Sequence, residues 1–192
     1  MVTTLNIDAQ LVEEAKKGDS DCFSRLYELV QDDLYKYALY ALGNAHDAED
    51  VVAETFLEAF RGISKLREPS AFKSWIFKIL SIRIKRRISH YIKEKKQMQI
   101  EDFIADPALQ MDGMDASVIA RTDLLQAMET LSTQERMILT LSVLYGYTTK
   151  QISQMLHSPH GTVSSKLHRS LKKLKSQLEE KEGDANEPSN PH

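Results

Sequence analysis

The side chains best suited to chemistry lie near the carboxyl end of the chain, in a run of short polar and basic residues. They are Ser164, Ser165, Lys166, His168, Arg169, Lys172 and Lys173. Val163, Leu167, Leu171 and Leu174 recur between them with the spacing of one buried helix face, so the polar residues share the opposite face. Lys and Arg bind phosphate or guanine, and short hydroxyl side chains approach base edges. This face is therefore suited to binding duplex DNA.

A short helix with Ile152 and Leu156 on its buried side is predicted just before this one, with a tight turn at 157–159 between the two. Two helices joined in this way are typical of a helix-turn-helix, whose second helix inserts its first half into the major groove. An ordinary helical hairpin with a solvated basic face is the alternative. The spacing and the sequence Pro159-x-Gly161-Thr162-Val163 favour the helix-turn-helix.

A second basic segment lies at 71–96, with nine Lys or Arg residues and one Glu. A helix with so many basic residues can bind along the phosphate backbone of a nucleic acid, and nearby aromatic rings can stack on its bases. Trp75 shares a face with Phe72, Ile76 and Ile79, which favours a place in the core. A merely solvated basic face remains the alternative reading.

An acidic helix is predicted before this segment, at about 45–62. Its carboxylates are Asp47, Glu49, Asp50, Glu54 and Glu58, and its expected core side is Val51, Val52, Phe56, Leu57 and Phe60. Negative charge repels DNA and suits a protein partner, although an exposed acidic helix can also simply favour solubility.

The sequence contains no recognisable catalytic motif. The six His residues form no metal-binding motif, Cys22 has no assigned base, and there is no Gly-rich phosphate loop. The sequence predicts no catalytic residue, no metal and no cofactor.

The elements that carry these surfaces are helices. Seven Gly and five Pro in 192 residues disfavour a turn-rich β protein, and helices are predicted at about 20–42, 45–62 and 71–95. There is no apolar run long enough for a membrane span and no signal peptide, so a cytoplasmic protein without membrane insertion is expected.

The expected fold is all-α, with two small helical domains. The domains are expected at 8–96 and 119–180, joined by a flexible acidic linker at 97–118 and followed by a disordered tail at 181–192. The net charge is −5 over 97–120 but +8 over 71–96 and +5 over 148–181, which suggests two separate contacts with a polyanion.

In combination, these segments resemble the sigma factors of bacterial RNA polymerase, above all the small two-domain extracytoplasmic-function (ECF) group. DAEDVVAETFLEAF at 47–60 is similar to sigma region 2.2, and FKSWIFKI at 72–79 to the promoter-melting signature. LSTQERMILTLSVLYGYTTKQISQML, followed by PHGTVSSKLHRSLKKL, is similar to region 4. The motifs occur in family order and spacing, and the resemblance covers about 8–178.

The resemblance implies a role for particular residues. Those implied to dock on the clamp helices of the polymerase β′ subunit are Asp47, Asp50, Val51, Glu54 and Phe56. Those implied to bind the minus-ten element are Lys65, Leu66 and Arg67, in a loop that captures a flipped base, and Arg83, Arg86 and Arg87 on the non-template strand. Those implied to read the minus-thirty-five duplex are Thr162, Ser164, Ser165, His168 and Arg169, with Lys166 on phosphate.

The implied partners are core RNA polymerase, through its β′ clamp helices and β flap, promoter DNA and an anti-sigma factor. Three residues depart from those common in the family. Ile82 stands where Asn is common, Ala53 where Gln is common and Ser164 where Arg is common, which leaves the promoter sequence open.

A free-standing regulator that binds an operator through the helix-turn-helix alone is the main alternative. A module that only sequesters a partner is a second, which the basic segment disfavours.

Overall fold

The computed structural model describes residues 7–98, 128 and 130–184, and all of the regular structure in these residues is helical. The helices are α1 (Ala9–Lys16), α2 (Ser20–Leu42), α3 (Ala45–Gly62), α4 (Phe72–Met98), α5 (Thr133–Val143), α6 (Thr149–Leu156) and α7 (His160–Asp184). The expected all-α class is confirmed. The predicted linker and tail lie outside the described residues, apart from their first few positions, which continue α4 and α7.

Polar caps and one glycine set where the first helices begin and end. Asp8 and Asp19 cap α1 and α2 by accepting hydrogen bonds from backbone N–H groups of the first turn. Gly43 ends α2 at φ +72°, a left-handed conformation that side chains with a Cβ rarely adopt. Asn44 then caps α3 directly, so that α3 folds back against α2.

The first domain is built around α2, α3 and α4. Fully buried side chains from these helices include Leu34 and Tyr37 of α2, Val51 of α3, and Phe77 and Leu80 of α4. Two 3₁₀ turns, Ile63–Lys65 and Pro69–Ala71, join α3 to α4.

The second domain contains the predicted helix-turn-helix. Ser132 and Glu135 form the predicted capping box at the start of α5, and Thr148 and Gln151 form another at α6. His157 ends α6 at φ +48°, and α7 starts three residues later. Ile152, Leu156 and Val163 are fully buried between these helices, as their spacing predicts.

The two helical domains pack against each other, an arrangement that the sequence left open. Helix α5 lies on α2 and helix α6 lies on α4. As a result, Ile138, Leu141 and Ile152 of the second domain belong to the same buried cluster as Tyr37 and Ile84 of the first. Sequence periodicity shows that each helix has a buried face but not which neighbour covers it.

A buried hydroxyl pair gives a test of the first core. The Ser81 hydroxyl donates to the Phe77 carbonyl at 2.7 Å, and the fully buried Tyr37 hydroxyl lies 2.9 Å from Ser81 Oγ. We expect Ser81→Ala to lower the free energy of unfolding by about 2 kcal/mol, because it leaves the phenol without its partner. Urea denaturation measures the change. Tyr37→Phe combined with Ser81→Ala should cost less than Ser81→Ala alone, and the opposite order would contradict the pairing.

Candidate nucleic-acid and polymerase interface

The basic residues of α4 divide between two faces of the helix. Positions four apart share a face, so Arg83 and Arg87 point the same way, whereas Ile82 and Arg86 point another way. The first face meets α3, and the second lines a cleft beside α6. A charge count over 71–96 cannot separate these two groups.

Arg83 and Arg87 form a network of ion pairs with α3. Arg83 Nε lies 2.8 Å from Glu58 Oε2, and its Nη1 lies 3.0 Å from Glu54 Oε2. The hydrogen bond to Glu58 raises the pKa of the Arg83 guanidinium, so this group stays charged. Arg87 Nη1 lies 3.0 Å from Asp47 Oδ1, and its Nη2 lies 3.3 Å from Asp50 Oδ2.

Tyr91 completes the network by donating its hydroxyl to Asp47 Oδ1 at 2.5 Å. The network therefore joins residues that the resemblance assigns to two different partners. Asp47, Asp50 and Glu54 are implied to meet the polymerase, and Arg83 and Arg87 to meet DNA. In this structure these side chains bind one another.

Arg86 is exposed and has no ion pair within the described residues. It lines a cleft of about 450 Å³ between the two domains. The walls include Ile82, Lys85, Arg86, His90 and Lys93 of α4 on one side, and Met155 and His157 on the other. Lys85 donates from its amine to the Leu156 carbonyl oxygen, and partial burial lowers its pKa.

The loop between α3 and α4 holds the other predicted minus-ten residues. Leu66 is buried and anchors the loop to the core, whereas Lys65 and Arg67 on either side are exposed. Phe72 and Phe77 are buried and do not offer ring faces to bases. Trp75 is partly buried against the same core, with its ring beside Gly62, as the shared apolar face predicts.

The acidic helix α3 is less exposed than its sequence suggests. Asp47, Val51 and Phe56 are buried, whereas the side chains of Asp50 and Glu54 are 42% and 45% exposed. The structure is here at odds with the predicted core side, because Leu57 and Phe60 are 60% and 55% exposed. The buried stripe runs through positions 48, 51, 52, 55 and 59, which turns 57 and 60 towards solvent.

The predicted minus-thirty-five residues lie together on α7. Ser164, Ser165, His168 and Arg169 are exposed, and Thr162 and Lys166 are partly exposed. Arg169 Nε donates to the Ser165 carbonyl at 3.3 Å, a contact within the helix surface. The helix therefore offers hydroxyls in its first turns and basic groups beyond them, which fits entry into a major groove.

Neither a metal centre nor a membrane span emerges from the described part of the chain. No three His, Cys, Asp or Glu side chains there come together as metal ligands, and no helix there has the length and apolarity to cross a membrane.

Comparison with protein families gives two matches in the same order along the chain. Residues 26–96 match Sigma-70 region 2, and residues 121–174 match Sigma-70, region 4.

Curated relatives extend over most of the chain. It is 27% identical over 177 residues to the ECF RNA polymerase sigma factor SigW of Bacillus subtilis, covering 87% of this chain and 94% of the relative. It is 26% identical over 185 residues to the ECF RNA polymerase sigma-E factor of Escherichia coli, covering 90% and 94%.

Two solved structures share the fold. One is the sigma factor RpoE in complex with the anti-sigma factor NepR from Bartonella quintana, with a TM-score of 0.64, 23% identity, and coverage of 82% of this chain and 96% of that one. The other is CnrH in complex with the cytosolic domain of CnrY, with a TM-score of 0.65, 18% identity, and coverage of 90% and 97%.

The neighbouring arginines of α4 provide a matched pair of variants. Arg87→Ala should lower the free energy of unfolding by about 2 kcal/mol, because it leaves the buried Asp47 carboxylate without its guanidinium. Arg86→Ala removes an exposed group from the cleft wall and should cost under about 0.5 kcal/mol. Urea titrations of both variants measure the difference. Equal losses of unfolding free energy in the two variants would show that the ion-pair network of Arg87 does not stabilise the fold.

Proposed function

Because the chain belongs to the sigma-70 family, as an ECF sigma factor, we propose that it binds core RNA polymerase and directs it to promoters. The observation that carries this is the placement of two basic surfaces, on α4 and on α7, in two domains, beside one acidic and apolar face on α3. The chain contributes no catalytic residue in this proposal, and RNA synthesis belongs to the polymerase in the cytoplasm.

Residues 8–96 form the polymerase and minus-ten domain in this proposal. Docking uses the exposed part of α3, where Asp50 and Glu54 supply charge and Leu57 and Phe60 supply apolar surface. A charged rim around apolar anchors is the usual composition of a protein interface. Buried Asp47, Val51 and Phe56 keep the helix in position for that contact.

The minus-ten element is read as a melted strand. Lys65 and Arg67 lie at the loop that would receive a flipped base, and Leu66 anchors this loop. Arg86 is free to bind phosphates, whereas Arg83 and Arg87 reach DNA only by leaving carboxylates of α3. We therefore assign the first backbone contact to Arg86 and a later one to the two paired arginines.

Residues 119–180 form the domain that reads the minus-thirty-five duplex, with the 97–118 segment as the connection between the domains. Thr162, Ser164, Ser165, His168 and Arg169 face base edges in this assignment, and Lys166 faces phosphate. The β flap of the polymerase is the proposed partner of this domain. An anti-sigma factor is proposed as the restraint, since RpoE, which shares the fold, was solved in complex with the anti-sigma factor NepR.

Saturable binding to sigma-free core polymerase, followed by run-off transcription on genomic promoter fragments, tests the proposal. We expect Leu57→Glu to weaken core binding at least tenfold, because a charge replaces an apolar anchor. Ile92→Glu changes a similarly exposed apolar side chain on α4 and serves as the control. Tight binding of duplex DNA by the protein alone, without binding to core, would favour a free-standing regulator instead.

Arg169 is the residue of α7 best suited to sequence reading. Arg169→Ala should change the preferred minus-thirty-five sequence and cost about 1–3 kcal/mol at promoters with guanine at the contacted position. Lys172→Ala should weaken initiation at all promoters alike and reduce its salt dependence, because it removes a phosphate contact. Transcription of a promoter library by each variant holoenzyme distinguishes a changed sequence preference from a uniform loss of initiation. Unchanged preference with Arg169→Ala would remove this residue from base reading.

A further inference from the structure

We propose that the cleft between α4 and the end of α6 is a binding site for a small phosphorylated ligand with a flat ring, of the nucleoside diphosphate class. The site goes beyond the proposed function and does not rest on it, because such a ligand would bind the free chain with no polymerase present. Three features of the cleft support it, namely its size, its charge and the order of its side chains.

The cleft has two walls and the size of a small-molecule site. One wall is a stripe of α4 that runs from Ile82 to Lys93, and the other consists of Met155 and His157. The stripe is roughly 16 Å long, at about 1.5 Å per residue along the helix axis. The volume of about 450 Å³ lies within the range of roughly 300–1,000 Å³ that is typical of pockets for small organic ligands. One nucleotide with its phosphates suits this length and volume.

The cleft is lined by positive side chains, and the described residues that line it include no carboxylate. Lys85, Arg86 and Lys93 supply the positive charge, and the exposed His90 and His157 lie beside them. Charges of one sign on a concave surface reinforce each other's field and raise the local concentration of an oppositely charged ligand. The charge of this cleft therefore favours an anion.

The cleft differs in this respect from the face of α4 that meets α3. Arg83 and Arg87 on that face are paired with carboxylates. No Lys or Arg of the cleft has an ion pair in the part of the chain that the structure describes. The same helix thus has one basic face whose charge is neutralised within the protein and one whose charge is left for a ligand.

Lys85 is the most informative of these basic groups because it is partly buried. Its ammonium donates to the Leu156 carbonyl oxygen, a neutral acceptor, and burial lowers its pKa. A desolvated ammonium is stabilised by an opposite charge within a few ångströms, so a phosphate group in the cleft would favour the charged form of Lys85. Arg86, exposed at the next position, has the planar guanidinium that can bind two phosphate oxygens at once.

Apolar and basic side chains follow one another in order along the cleft. Ile82 begins the stripe of α4, the apolar Met155 belongs to the opposite wall, and the basic residues of α4 follow from Lys85 onwards. Small-molecule sites commonly combine an apolar surface with a few polar groups that fix the orientation of the ligand. The flat ring is therefore expected against Ile82 and the phosphates against Arg86. An apolar contact does not distinguish one base from another, so ADP represents the whole class.

Isothermal titration calorimetry of the full chain, with ADP as the probe, tests the site. We expect saturable binding of one ADP per chain, and binding of adenosine and of pyrophosphate that is about tenfold weaker, because each keeps only part of the contacts. Arg86→Ala should weaken the binding of ADP and of pyrophosphate about tenfold, because it removes the phosphate contact. Lys150→Ala removes an exposed charge from α6 outside the cleft and should leave both affinities unchanged.

Ile82→Ala separates the contact with the ring from the contact with the phosphates. It should weaken ADP binding about fivefold, because it removes apolar contact area, and leave pyrophosphate binding unchanged. Methyl NMR spectra of the full chain locate the ligand. ADP should shift the methyl signals of Ile82 and Met155 but not those of Val143, which is exposed on α5 away from the cleft.

Absence of saturable ADP binding, or ADP binding that Arg86→Ala leaves unchanged, would overturn the site. Binding of a single-stranded oligonucleotide that depends on Arg86, without binding of ADP, would also overturn it and would show that this face serves only a nucleic-acid strand. Failure of core binding and of run-off transcription would overturn the proposed function instead, and the titration of the free chain with ADP would still decide whether the cleft binds the ligand.

Discussion

The ion pairs from Arg83 and Arg87 to the carboxylates of α3 hold together the two helices to which we assign polymerase docking and minus-ten binding. Helix α4 buries one face in the core, pairs a second with α3 and leaves a third at the cleft. Since each residue of a helix is turned by about 100° from the one before it, Ile84, Arg86 and Arg87 meet three different surroundings within about one turn. The acidic helix is held beside the basic one because their charges are opposite.

The charged side chains of α3 and α4 therefore have two roles, one in stability and one at the surface. Paired with Arg87, Asp47 lies buried without the penalty of an isolated carboxylate, and the pair fixes α3 beside α4. Arg86, which has no ion pair in the part of the chain that the structure describes, stays exposed at the cleft. The apolar side chains Leu57 and Phe60 lie at the solvent edge of the same α3, where they remain available to a protein partner. Stability and recognition are thereby distributed over different faces of two helices.

The contact between the two domains also combines buried apolar surface with charged groups at its edge. Tyr145 and α6 cover apolar surfaces of α2 and α4, and basic groups of α4 line the cleft beside them.

The sequence by itself determined the helices, their caps and the family, because periodic apolar residues, the Ser132–Glu135 capping box and ordered motifs are local signals. It also predicted the buried positions Val163 and Leu174 of α7, whereas Leu171, predicted on the same buried face, is 45% exposed because no neighbouring helix covers that position. Only the tertiary structure decided that Arg87 binds Asp47, that Leu57 is exposed and that Tyr145 joins the domains. Each of these depends on which helix lies opposite, and residues 40 to 112 positions apart meet through packing that no local pattern encodes.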